Sequence, residues 1–398
     1  YMWINLFATS LKENGRAALV MPNSASDARN SEAEIRKTLI ERGLISQMVT
    51  LSSNMFNTVT LPASLWFFDK SNLVEEGGDT SNIKILFVDA RNVYRQVDRA
   101  HREFTQEQIW NLATIYRLYN GDSERYLELI DKYQSKIALS IPNLLPIIRD
   151  CKDQFNQVFN GLRQGVLKNG LADKIEMKDA GKSKLDVFED SQLTIPDNLE
   201  SLIHAIGESH STRSGLSIDD QIHWTELLDR LYESKRKFKK ALDHGLKVLR
   251  SIIDENDQVV KEFQLVDRKT MQEMEKAVSR FEEFTSEKYI ESPAYFVDEE
   301  GKSPFYFYKN LHWLQERFPK GVYEDVVGLC KVATIKEIEE QDWSLNPGRY
   351  VGVVIEEDNM TEEEFSSQIK SLHKELNKLS EQSVALLTEV ESNFNFLF

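Results

Sequence analysis

Leu51-Ser52-Ser53-Asn54-Met55-Phe56-Asn57-Thr58-Val59-Thr60-Leu61-Pro62-Ala63-Ser64-Leu65-Trp66-Phe67-Phe68-Asp69-Lys70 sets a polar, turn-forming stretch between two apolar ones. Ahead of it, Leu44 to Leu51 has strand character. Behind it, Ser64-Leu65-Trp66-Phe67-Phe68 is rich in the aromatic residues that pack well on a pleated surface. Ile83-Lys84-Ile85-Leu86-Phe87-Val88 repeats the pattern after the acidic turn Glu75-Glu76-Gly77-Gly78-Asp79. Toward the amino end, Arg16 to Met21 is a short apolar run stopped by Pro22-Asn23, which predicts a strand buried on both faces with a loop at its carboxyl end. Trp3, Leu6, Phe7 and Leu11 recur at helical spacing before Asn14-Gly15. Ser31-Glu32-Ala33-Glu34 has capping-box spacing ahead of Ile35, Leu39 and Ile40, so a helix is expected from about Ser31 to Gly43. Helices alternating with strands predict an α/β sheet, and open α/β sheets bind ligands beyond the carboxyl ends of their strands.

From about Thr105 to Ser292 the composition shifts to Leu, Glu, Lys, Gln and Asp, and helices are expected throughout. Asp219 to Asp254 and Gln258 to Glu291 are long enough for two extended antiparallel helices, with Lys178 to Ser191 as an exposed linker. Pro293 to Tyr308 reads as irregular, ahead of a short helix over Leu311 to Arg317, and Leu345-Asn346-Pro347-Gly348-Arg349-Tyr350-Val351-Gly352 punctuates that unit. At the carboxyl end Phe365, Ile369, Leu372, Leu376, Leu379, Ser383, Leu386 and Val390 alternate steps of four and three, a heptad register with one polar interruption. A stripe confined to such positions is narrower than a core-facing helix needs, so it calls for a partner helix.

At 398 residues the chain exceeds what one core usually supports. Its 41% apolar and 29% charged residues are those of a globular protein, and no run of about 18 apolar residues occurs. Two distant cysteines, Cys151 and Cys330, fit a reducing cytoplasm and read as inert thiols. A net charge of -16 opposes free-standing nucleic-acid binding, so any DNA contact requires a partner or a local basic patch. No GxGxxG, P-loop, HExxH, GxSxG or CxxC motif is present, and His204 and His210, six apart, do not share a helix face as metal ligands would. From the residues alone no complete active site emerges, and a noncatalytic helical scaffold or interaction protein is an open alternative.

Together with Leu19-Val20-Met21-Pro22-Asn23 and Glu34-Ile35-Arg36-Lys37-Thr38-Leu39-Ile40, the Leu51 to Lys70 stretch resembles the distal half of the catalytic domain in modification subunits of type I restriction-modification systems. There a strand ending in Pro-Asn, a helix with an Ile-Arg pair and a segment ending in Asn-x-Phe follow in that order. The resemblance continues through Phe87-Val88-Asp89-Ala90-Arg91. It resumes at Trp313 to Pro319, Gly328 to Lys331, Leu345 to Gly352 and the heptad helix, about half of the chain in all.

The resemblance implies the distal part of a class I S-adenosylmethionine-dependent methyltransferase sheet (1–104), a helical elaboration (105–292), a family carboxyl-terminal segment (293–360) and an assembly helix (361–398). It implies methyl transfer from S-adenosylmethionine to the N6 amine of an adenine flipped out of double-stranded DNA. Phe56 matches the aromatic position that stacks on the flipped base; read without the resemblance, it is a core residue at a strand end. Pro22, Asn23 and Asn54 become candidates for the substrate loop. Phe365, Ile369, Leu372, Leu376, Leu379, Leu386 and Val390 become the seam for helices of a DNA-reading specificity subunit, and a restriction subunit completes the complex. The family's glycine-containing cofactor loop and its Asn-Pro-Pro-aromatic motif are expected upstream of Trp3. Neither occurs in these 398 residues, since Gly348 and Arg349 follow Asn346-Pro347, so the chain by itself is expected to be inactive.

Overall fold

The structure, a computed structural model, describes residues 1–56, 58–75, 78–171, 178–179, 182–183, 198–212, 217–289, 301–353 and scattered positions between 366 and 387. Two units separate by contact, Tyr1–Val351 and Gly352–Phe398. Within the first, β1 (Arg16–Pro22), β2 (Ile45–Leu51), β3 (Ala63–Asp69), β4 (Lys84–Ala90), the short β5 (Arg95–Gln96) and β6 (Arg102–Glu103), the two-residue β7 (Lys178–Asp179) and β8 (Lys182–Ser183), and β9 (Cys330–Thr334) follow in chain order. Five of them form one sheet in the order β1-β3-β2-β4-β9. Only β2 and β4 run parallel as neighbours; the other three pairs are antiparallel. A purely helical scaffold does not account for this sheet.

Side chains alternate across it. In β4, Ile85 and Phe87 enter one core, while Leu86, Val88 and Ala90 enter the other. In β2 a register shift between Ile45 and Gln47 resets the alternation, so Ile45 and Met48, three apart, share a face. The first core is closed by α1 (Met2–Ser10), α2 (Ser31–Glu41) and the helix Ile335–Glu340; the second is continuous with the helical region.

Three local expectations need correction in this part. No residue of β1 is fully buried, because the strand lies at the sheet edge with β3 as its one neighbour among the described strands. The face of α1 that packs is Ile4 and Ala8, and of the expected stripe Leu11 is partly buried against the same core and Phe7 partly exposed, whereas Trp3 and Leu6 are exposed. The helix at Ser31 does form, but without a side-chain cap, since its N-cap residue is Asn30 at a φ of 60°. Gly43 ends it at a φ of +66°, where an added Cβ would stand 2.4 Å from the Asn72 carbonyl oxygen.

The helical region begins with α3 (Gln106–Tyr119), capped reciprocally by Thr105 and Gln108, and continues through α4 (Ser123–Ser140) and α5 (Leu144–Lys168). The helices Leu199–Thr212, Ile218–Glu255, Asp257–Glu262 and Arg268–Phe284 follow. Trp224, Phe238, Phe281 and Phe284 are fully buried there, each contributing about 1.5–3 kcal/mol. The second long helix expected after Gln258 is broken: Gln264 takes a φ of 48°, Leu265 turns inward against Gly165, and Asp267 caps a new start. The segment before Leu311 is helical from Pro304, because Ser303 accepts the Tyr306 amide as N-cap and Pro304 occupies the first turn. Most of the linker expected at Lys178 to Ser191 lies outside the described residues.

A buried ion pair joins these helices. Glu107, on α3, accepts from Lys302 Nζ at 2.9 Å and from the Tyr306 hydroxyl at 2.6 Å. Both charged side chains are almost wholly enclosed.

In the second unit the described positions between 366 and 387 are helical. Ile369, Leu372, Leu376, Leu379 and Leu386 are exposed at 50–61%. Phe365 and Val390 lie outside the described residues.

Candidate functional site

Because β1 and β2 both run antiparallel to β3, and β4 runs parallel to β2, the carboxyl ends of β1, β2 and β4 lie at one end of the sheet. Three connections gather there: Asn23–Asp27 after β1, residues 52–62 between β2 and β3, and 91–94 after β4.

Pro22 pairs with Ala63 and is exposed. The Asn23 amide donates to the Pro62 carbonyl at 3.1 Å, joining the first two connections. Its side-chain Oδ1 is buried with no hydrogen-bond partner among the described residues. An unsatisfied buried acceptor costs about 1–3 kcal/mol.

Asn54 holds the bend after β2 at a φ of 61°, in the left-handed region that Asn tolerates. Arg102, on β6, grips this bend. Its backbone amide donates to the Asn54 carbonyl at 2.9 Å, and its Nη1 donates to the hydroxyls of Ser52 at 2.6 Å and Ser53 at 3.3 Å. The same guanidinium lies 4.1 Å from the Tyr94 ring centre. Beyond the bend, Phe56 forms an isolated antiparallel bridge with Val59, whose amide donates to the Phe56 carbonyl at 3.2 Å. Phe56 is 40% exposed and, with Val59 and Leu61, makes an apolar tip at this end of the sheet.

The Leu345 to Gly352 signature is a packed turn. Asp27 accepts from Ser344 and, at 3.1 Å, from Asn346; Tyr350 stacks on Phe87 at 3.9 Å. Arg36 of the Ile-Arg pair donates to the carbonyls of Trp343 at 2.6 Å and Ala28 at 2.7 Å, so it fastens α2 to both neighbouring segments. These residues shape the floor on which the connection after β1 rests. The grip of Arg102 on the bend has no signal in the local sequence, where the nearby Arg91 and Arg95 pair instead with Asp89 and Glu103.

The remaining candidates stay apart. His210 lies against Trp224, at 6.1 Å between ring centres, and His204 is 3.4 Å from Glu208. Among the described residues no group of three or more His, Cys, Asp or Glu side chains is placed to hold a metal ion, and no helix is long and apolar enough to cross a membrane. Burial pushes the Cys151 thiol up to about 12 and that of Cys330 to about 11.

Residues 1–139 match the family model described as N-6 DNA Methylase. The methylase subunit of the type I restriction enzyme MjaIX from Methanocaldococcus jannaschii is 38% identical over 125 residues, 31% of this chain and 22% of that protein. The HindI methylase subunit from Haemophilus influenzae is 34% identical over 114 residues, 28% of this chain and 24% of that protein. The chain thus matches about a quarter of the length of these relatives. Among solved structures, the methyltransferase subunit of a type I restriction-modification system from Streptococcus thermophilus is 24% identical with a TM-score of 0.23, covering 26% of this chain and 20% of its own. The M protein of the type I restriction enzyme EcoKI is 21% identical with a TM-score of 0.25, covering 29% and 24%. In its amino-terminal third this chain resembles the N-6 DNA methylases that serve as methylase subunits of type I restriction enzymes.

Proposed function

We propose that the chain is part of a DNA adenine-N6 methyltransferase, the modification subunit of a type I restriction-modification complex, and that its end of the sheet captures the flipped adenine. The observation that carries this reading is the half-exposed Phe56 tip, next to the bend that Arg102 holds at the carboxyl ends of the strands. A base on that ring gains about 1–3 kcal/mol of stacking.

S-adenosylmethionine would supply the methyl group in this reading. The residues present do not fit it. The sequence has neither a glycine loop of the dinucleotide type nor an Asn-Pro-Pro-aromatic motif, and the turn after β1 is a short 3-10 helix pinned by Ser344 and Asn346. What these residues contribute is base capture and assembly. The exposed Ile369, Leu372, Leu376, Leu379 and Leu386 support docking to a specificity subunit, which would bring to DNA a chain of net charge -16. A restriction subunit, double-stranded DNA and a cytoplasmic location belong to the same reading.

In the complete modification complex, Phe56→Ala weakens capture of the target base by about 1–3 kcal/mol and leaves folding intact. A fluorescent adenine analogue at the target position reports the change. Undiminished flipping and methylation by a folded variant would reject the role of Phe56.

A further inference from the structure

The β5–β6 hairpin, whose Arg102 holds the bend before Phe56, also lines a cleft of about 590 Å³, within the range of about 300–1,000 Å³ usual for ligand sites. It lies between β5–β6, the segment 287–289 and the helix Pro304–Arg317, and is lined by Tyr94, Arg95, Lys288, Tyr289, Lys309 and Trp313. Cations and rings are interleaved. Arg95 lies 4.3 Å from the Tyr289 ring centre, Arg102 4.1 Å from Tyr94 and Arg317 4.5 Å from Trp313.

The charge of the lining runs against that of the chain. Three cations, Arg95, Lys288 and Lys309, line the cleft with one carboxylate, Glu287, and Arg95 is itself paired with Glu103 at 3.0 Å. Glu287 is already engaged by Lys235 at 3.2 Å and by the Tyr232 hydroxyl at 2.7 Å. Lys288 and Lys309 are exposed and have no ion-pair partner among the described residues. In a protein of net charge -16, a cationic and aromatic cleft of nucleotide size is an exception that calls for an anionic, stackable ligand.

We propose that this cleft receives one nucleotide of a DNA strand, its phosphate between Lys288 and Lys309 and its base against the rings of Tyr289 and Trp313. The proposal rests on the DNA-modification reading and extends it, since the cleft is distinct from the Phe56 tip and shares only the β5–β6 hairpin with it. Through Arg102 that hairpin would couple a strand held in the cleft to the bend that presents Phe56.

The test uses the purified chain, a fluorescein-labelled twelve-nucleotide single strand, the matching duplex, and adenosine monophosphate as competitor. Binding is followed by anisotropy over a series of salt concentrations. Each phosphate contact contributes about 0.7 to the slope of log affinity against log salt for a single strand, so Lys288→Gln with Lys309→Gln flattens it by about 1.4. Tyr289→Ala weakens strand binding about 5- to 150-fold, and Tyr289→Phe restores it. Melting curves of the variants should coincide with that of the parent. An unaltered slope and affinity in these variants, or no strand binding by the parent chain, overturns the proposal. Equal affinity for the mononucleotide and the strand would reject a DNA strand as the occupant in favour of a free nucleotide. Base flipping by the Phe56 variant in the complete complex is read separately, so either idea can fail alone.

Discussion

Replacing Glu107 by Ala removes the carboxylate of a buried ion pair and leaves the lysine in place. Lys302 Nζ, 2.9 Å from the carboxylate and 8% exposed, would lose this carboxylate, and the Tyr306 hydroxyl would lose its acceptor at 2.6 Å. Breaking a buried pair from one side costs about 3–5 kcal/mol, far above the 0–1 kcal/mol of a surface pair, because the remaining charge stays out of water. At about 2.1 cal/mol/K per residue, unfolding a unit as long as Tyr1–Val351 carries an entropy near 0.7 kcal/mol/K, so the melting temperature should fall by about 4–7 °C. The double replacement Glu107→Leu with Lys302→Met removes both charges and should recover most of that loss. Calorimetric or fluorescence melting of the three proteins measures both effects. A single variant that melts within 1 °C of the parent would refute the reasoning, since it would mean that Lys302 finds water or another anion at little cost.

Glu337 is held at about 2 by Lys331, by the Thr334 amide and by the Thr334 hydroxyl, which outweigh its partial burial. A carboxyl depressed in the folded state adds stability above its unfolded value of about 4.3, and that stability is lost as pH falls toward 2. Glu337→Gln should therefore flatten the stability profile between about pH 4.5 and 2 and leave the slope at neutral pH unchanged, as urea titrations would show. Both thiols, raised to about 11 and 12 by burial, should resist iodoacetamide at pH 8 in the folded chain and react once it is unfolded; alkylation of either without unfolding would contradict their enclosure. Leu376→Glu with Leu379→Glu should leave the melting of Tyr1–Val351 unchanged, since both side chains are exposed, and abolish copurification with a specificity subunit. Lowered melting together with normal copurification would reject the seam as an assembly surface.

The α/β sheet and the helical region were legible because apolar runs bounded by Pro, Gly and Asn leave strands few alternatives. Placement within the sheet was not. Arg16 to Met21 has the composition of a central strand yet lies at the edge, because burial depends on neighbours that a strand's own residues do not specify. For α1 the stripe of Trp3 and Leu6 and the stripe of Ile4 and Ala8 are both helical, and only the sheet beneath selects between them. The start at Ser303-Pro304 could have been read from its cap and proline; the break after Glu262 is fixed by the fit of Leu265 to Gly165, remote in sequence. At the candidate site, Pro22, Asn23, Asn54 and Phe56 stood out through the family resemblance. What holds them did not: Arg36 reaches across 307 positions to Trp343, and Asn346 across 319 to Asp27. Such contacts leave no periodic trace.

The place of β1 at the edge of the described sheet bears on how the chain behaves in concentrated solution. Among the described strands none lies along its outer side, which is flanked by exposed Val20 and is a template for another extended chain. Colloidal repulsion from a charge of -16 opposes such contact at low ionic strength. As the screening length shrinks from about 10 Å at 0.1 M salt to about 3 Å at 1 M, that repulsion fades while the edge and its apolar flank keep their attraction. Salt is then a precipitant for this chain rather than a solubiliser, and dilute buffer of modest ionic strength is the condition in which it stays dispersed.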